Sequence, residues 1–244
     1  MDNTVAKYDT KHSMVREMED AQCQYLLLRY CCCNNLNHWL RTVRPEDVAE
    51  AAERFDVAVE DSISTMLSPQ NQSFEMTGRA TLQSRQLVKK GGLGLLSAKR
   101  TSDPAWLGSW SLTKKTIKTV LSGYPELLDN LDSVATSVLP GVKSISASYD
   151  RIAVLAAAHS SPIPPKNNLE LLVEKAQRTF NHPVVQDLGS ILQTETDRWG
   201  DDADKARLHN VTQEESCGWL QALPVTSWST FKPSVYRVAL RFWL

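Results

Sequence analysis

The chain has 244 residues, of which 42% are hydrophobic and 23% charged, and its net charge is −1. That allows one large domain or two small ones with a substantial core, while the overall charge by itself points to no partner. Ten glycines and eleven prolines are too few for a turn-rich β protein, five cysteines in no disulfide framework suit a reducing compartment, and no apolar run is long enough for a secretion leader or a membrane span.

Residues 1–12 are polar and read as a disordered end. Met14, Met18, Ala21, Tyr25 and Leu28 recur at steps of three or four, which predicts a helix to about Cys33, stopping at Asn34-Asn35. A short apolar piece, Leu36 to Val43, carries His38, Trp39 and Arg41. Pro45 suits a first helical position, and Glu46 and Asp47 complement the positive end of the helix dipole. Val48, Ala52, Phe55, Val59, Ile63 and Met66 form that helix's buried stripe, which Ser68-Pro69 ends. Residues 69–77 read as a loop, and Arg79 to Val88 as a short helix.

Gly91-Gly92-Leu93-Gly94 predicts a tight turn that delivers a helix onto a core, because glycine allows positive φ and close backbone approach. Asp103-Pro104 predicts the start of that helix, with Asp as cap and Pro at the first position. Trp106 and Trp110 share one face of it, and it runs through Ile117 and Leu121 to Gly123. Pro125 opens another helix through Leu127, Leu128, Leu131, Val134 and Val138, which Pro140-Gly141 breaks. Ile145 to Ala158 is helix-like, although Ile152 to Leu155 alone is also compatible with a strand.

Three prolines between Ser160 and Pro165 mark the expected domain boundary. Asn168 caps a helix through Leu171, Leu172, Lys175, Ala176 and Phe180; Pro183 interrupts or restarts it, and Val184, Leu188, Ile191 and Leu192 continue the pattern. Residues 193–216 read as a solvated helix or loop, and Gly218 to Pro224 as a connector. A last helix carries Trp228, Phe231, Val235, Val238 and Phe242 and ends at Leu244 without a capping glycine, as though cut from something longer. The expected fold is all-α, an irregular multi-helix bundle in two packs around the glycine turn, with domains at 13–160 and 166–244.

Charge is uneven along the chain. From Arg79 to Lys118 there are nine basic residues against one acid, Asp103, so the segment carries +8 and the rest −9. Such a block suits a phosphate backbone; it equally suits a solvated face whose acidic partners lie between Glu46 and Asp61. The glycine turn beside Lys89 and Lys90 lacks the GK[ST] ending and the GxGxxG spacing of nucleotide loops, so a structural turn is the expected reading. Gly200-Asp201-Asp202 lies between polar, helix-prone stretches, and reads as a helix cap rather than a pair of metal-binding carboxylates. Cys31, Cys32 and Cys33 point about 100° apart on a helix and cannot converge easily on one ion. None of the five histidines has a spaced partner, and no catalytic site, metal site or cofactor is expected.

Three stretches in order resemble the region downstream of the polymerase palm in reverse transcriptases of non-LTR (LINE-like) retrotransposons. They are Gln22 to Arg29 with Asn35 to Val43; Gly91 to Ala98 with Ala105 to Trp110; and Gly218 to Pro224 leading into Phe231 to Leu240. The resemblance implies a thumb-like domain followed by a connector, which grip a template–primer duplex while a palm, missing here, does the chemistry. It implies a fragment with no polymerase activity of its own, nuclear if that origin holds. The residues it offers for contact with an RNA–DNA or DNA duplex are Arg29, Arg41, Arg44 and the lysines flanking the glycine turn. The basic block adds Lys89, Lys90, Lys99, Arg100, Lys114, Lys115 and Lys118 as candidate phosphate contacts. The competing expectation is a helical structural or protein-interaction protein. Its anchors would be exposed tryptophans among Trp106, Trp110, Trp219, Trp228 and Trp243, and it would self-associate through apolar surface. A hidden hydrolase is a third reading.

Overall fold

Regular structure among the described residues is helical, with no strand, as the apolar spacing at three and four residues requires. The computed structural model describes residues 2–68, 74–120, 131, 139–172, 175–226 and 229–244, with side chains from Lys7 onward apart from those of 170 and 171. The expected helix from Pro125 to Val138 lies outside these residues except for Leu131, as do Leu121, Gly123, Trp228 and residues 69–73 of the expected loop.

The chain forms two compact units. The first contains Met1–Asn35, Glu53–Ser97 and Leu188–Leu244; the second contains Leu36–Ala52 and Ala98–Asp187. The units do not follow the expected division at residues 160–166. The chain passes between the units after Asn35 in a turn, after Ala52 and Asp187 inside two long helices, and after Ser97, just past the glycine turn. Around Ser160 to Pro165, Ser161 N donates to Ala156 O at 2.9 Å and Tyr149 Oη donates to Pro164 O at 2.8 Å, which ties the proline segment into the second unit.

In the first unit, α1 (Asp2–Arg16) replaces the disordered end expected for residues 1–12. Its polar sequence is held by specific contacts: Tyr8 and His12 meet the Phe55 ring edge-on, and Tyr8 Oη donates to Asn35 O at 2.8 Å. The single helix expected from Met14 to Cys33 is broken, because Asp20 caps a new helix, α2 (Ala21–Leu27), by accepting from Cys23 N at 2.8 Å. Met14 is therefore 65% exposed, not part of a stripe. α2 runs on as a π-helical turn, Leu28–Cys32. The apolar piece from Leu36 to Val43 belongs to the second unit and forms a short helix, α3 (Asn37–Thr42); the helix expected from Pro45 is present as α4 (Pro45–Leu67), and Val48, Ala52, Phe55, Val59, Ile63 and Met66 are all buried.

α5 (Gly78–Arg85) and a 3₁₀ turn (Val88–Lys90) precede the glycines. Gly91 and Gly94 have φ of 79° and 70°, and a Cβ on Gly92 would stand 2.1 Å from Gln86 O, so the cluster is glycine for backbone reasons. The amides of Gly92, Gly94 and Leu95 donate to the carbonyls of Leu87, Gln86 and Ser84, and Tyr25 Oη donates to Leu93 O at 2.8 Å. Groups that a phosphate loop would aim at a ligand are thus bonded within the protein.

The last helices, after α6 (Ala98–Val120), α7 (Pro140–Ala158) and α8 (Ala176–Trp199), are α9 (Asp202–Val211) and α10 (Pro233–Trp243). Asp201 caps α9 by accepting from Asp204 N at 2.8 Å, as its sequence suggests. On α10 the buried face is Tyr236, Leu240 and Trp243; Val235, Val238 and Phe242, the apolar residues by which the helix is read in the sequence, are 52%, 65% and 68% exposed. Phe231 precedes the helix and joins Trp219, Tyr236 and Trp243 in an aromatic cluster centred on Trp219. Side chains replace the missing glycine cap, since Trp243 O accepts from Gln83 Nε2 at 2.6 Å and Arg207 Nη1 at 2.8 Å.

In the second unit, α6 (Ala98–Val120) begins five residues before the expected Asp103 cap and keeps Pro104 inside. Asp103 is engaged elsewhere, accepting from Arg151 Nε at 2.8 Å and Ser148 Oγ at 2.7 Å. α7 (Pro140–Ala158) starts at Pro140 and includes Ile152 to Leu155 as helix. Lys166–Leu171 is a 3₁₀ helix, and α8 (Ala176–Trp199) starts after Lys175, without interruption at Pro183. Leu107, Trp110, Ile145, Ile152, Phe180 and Val184 make the core, with Trp106 packed against it. Gly108 lets α8 approach closely: a Cβ there would lie 2.7 Å from Gln177 Cα.

Candidate nucleic-acid interface

The basic block does not act as one group. Arg85 is buried and bonds Asp56 and Glu60 of α4 at 3.4 and 2.9 Å, Arg79 bonds Asp204 at 2.5 Å, and Arg100 lies 3.3 Å from Asp187. For Arg85 the acidic partners lie where the solvated-face reading placed them, although the residue itself is buried. Burial works against the Asp204 charge, but Arg79 and Arg207 outweigh it and hold that carboxyl below the usual range.

Lys114 is 0% exposed and its Nζ donates to Asn167 O at 2.9 Å, so it is not a phosphate contact. Its place on α6 is on the packed face, one turn beyond Trp110. Lys89 and Lys90 are exposed on the 3₁₀ turn of the first unit. Lys99 and Lys115 are exposed on α6 of the second, and Lys118 is half-buried. Sixteen positions of helix put Lys99 and Lys115 about 24 Å apart along the axis and about 160° apart around it, so they share no stripe. Arg29 stacks on Tyr30 with 4.9 Å between guanidinium carbon and ring centre. Arg44 is paired locally, 2.6 Å from Asp47 and 3.7 Å from Glu46.

Arg41 is the expected residue with the most suggestive surroundings. It is exposed near the end of α3, and its Nε donates to Gln177 Oε1 at 2.8 Å. That bond places the guanidinium in a cleft of about 410 Å³, shared with Lys175, Arg178 and Asn181. Lys175 has a φ of 56° just ahead of α8. Three cations and no carboxylate line this cleft among the described residues. Lys175 and Arg178 were missed by sequence reasoning. They are three residues apart in the sequence, but their meeting with Arg41 belongs to the fold.

Other chemistry-bearing residues are accounted for locally. Asp201 and Asp202 are exposed at the start of α9, and among the described residues no group of His, Cys, Asp and Glu is arranged to hold a metal. Cys31 is exposed, Cys32 buried and Cys33 half-buried, and burial pushes the Cys33 thiol up to about 12, which keeps it protonated. Ser161 Oγ lies 3.3 Å from His182 Nδ1, a pair the sequence does not show. Its hydroxyl donates to Gln186 Oε1, and no carboxylate among the described residues orients His182, so the pair lacks the third group that activates a nucleophile.

Comparison with known protein families, with curated proteins and with solved structures finds no match. No helix of the described residues is long and apolar enough to cross a membrane.

Proposed function

We propose that the chain is a helical module that holds a nucleic-acid backbone without reading its sequence, in the manner of the thumb and connector that follow the palm in LINE-like reverse transcriptases. In this reading it carries no catalytic centre and works beside a palm. The observation that supports it is the cleft of Arg41, Lys175 and Arg178 with no lining carboxylate among the described residues. Phosphate contacts of this kind position a duplex and release counterions, so binding falls steeply with salt. The test is titration of an RNA–DNA hybrid at two salt concentrations. Reversing the charge of all three residues is expected to flatten the salt slope by about 3. No binding at low salt, or an unchanged slope in the triple variant, overturns the proposal.

A protein-interaction role is the second reading, supported by Val235, Val238 and Phe242 on one exposed stripe of α10. It predicts association that depends on concentration but not on salt.

A further inference from the structure

The second unit holds another, larger cleft built from different residues. It measures about 610 Å³, with Arg44 just ahead of α4, Glu46 in its first turn, Asp103 from α6, and Lys143 and Arg151 from α7. Both carboxylates are already matched. Glu46 accepts from Ser144 Oγ at 2.7 Å and lies 3.7 Å from Arg44. Asp103 accepts from Arg151 at 2.8 and 2.6 Å, one bond to each oxygen, and from Ser148. Lys143 is exposed and has no partner among the described residues. The side-chain contacts of Arg44 use Nε and Nη1, and those of Arg151 use Nε and Nη2, so each guanidinium keeps one nitrogen outside them. With Asp47 also held by Arg44, what remains for a ligand around this space of small-molecule size is the Lys143 ammonium and one nitrogen of each guanidinium. The space is larger than a bare phosphate ion needs.

The geometry points to a binding site for a small organic phosphate, a monoester whose dianion is held by Lys143 with the remaining donors of Arg44 and Arg151. This site goes beyond the duplex-binding reading, and stands or falls apart from it.

The experiment uses the full chain, with glycerol 3-phosphate as the probe and inorganic phosphate as comparison, followed by amide chemical shifts. Saturable shifts are expected around Arg44, Asp103 and Lys143, with weaker binding of inorganic phosphate. Lys143→Glu is expected to weaken glycerol 3-phosphate about tenfold or more, and Lys143 is exposed, so the change is not expected to unfold the chain. Lys175→Glu is expected to leave this binding unchanged while weakening the hybrid. Absence of saturable shifts, unchanged binding in Lys143→Glu, or equal affinity for the two phosphates overturns the assignment.

Discussion

Both units bond cations internally, but the two clefts lined by cations with donors to spare are built in the second unit. In the first, Arg85 neutralises two carboxylates of α4, Arg207 caps α10, and Arg237 and Arg241 donate to Met66 O and Leu67 O at the end of α4, at 3.1 and 2.8 Å. These guanidiniums join helix ends and complement their dipoles. In the second, an apolar core of Leu107, Ile145 and Phe180 holds the helices, and Arg41, Lys175, Arg178 and Lys143 line clefts. A count of basic residues along a sequence therefore measures two different things, and only the second kind is available to a ligand.

Removing a cation of the first kind should give the largest effect. Arg85→Ala leaves Asp56 without its buried partner and is expected to cost about 3–5 kcal/mol, read as a lower urea midpoint. Gly108→Ala strikes the apolar unit instead. The added methyl meets Gln177 backbone at 2.7 Å, so a loss of about 1–3 kcal/mol in thermal or urea unfolding is expected.

A smaller, pH-dependent effect should be confined to the first unit. His12 is fully buried 3.2 Å from Ser62 Oγ; burial, then Arg16, lowers its pKa from 6.5, against a weaker opposing pull from Asp9. The unfolded chain therefore binds the proton more readily than the folded one. The neutral ring's contribution is complete above the unfolded value of 6.5 and is lost as pH falls towards the folded value. Urea unfolding of the wild type is expected to weaken between neutral and mildly acidic pH, and His12→Asn to flatten that dependence. Smallest of all, Lys175→Ala and Arg178→Ala should change stability by no more than about 0.5 kcal/mol while weakening hybrid binding. A large stability loss in either would make the cleft a structural device like those of the first unit.

Local signals carried the fold where one force decided the conformation. The α4 stripe, the glycine turn and the Asp201 cap depend on periodicity, φ and one short hydrogen bond, and each is readable in a few residues. α10 has apolar residues on two faces, so periodicity could not choose between Val235, Val238 and Phe242 on one side and Tyr236, Leu240 and Trp243 on the other. Trp219 and Phe231, packed on Tyr236, make that choice. Pro104 and Pro183 looked like helix starts, but burial of Leu107 and of Phe180 with Val184 on either side keeps both helices running through them. The Arg41 cleft could not be seen at all, because its other cations come more than a hundred residues later.

The carbonyl of Trp243, held by Gln83 and Arg207, sets an order on biosynthesis. The second unit is complete once Asp187 has left the ribosome, whereas the first must wait for α10 to satisfy Gln83 and to cover Tyr25 with Tyr236. Nascent chains stalled after Asp187 are therefore expected to resist protease within α6 and α7 while remaining open to cleavage near α5.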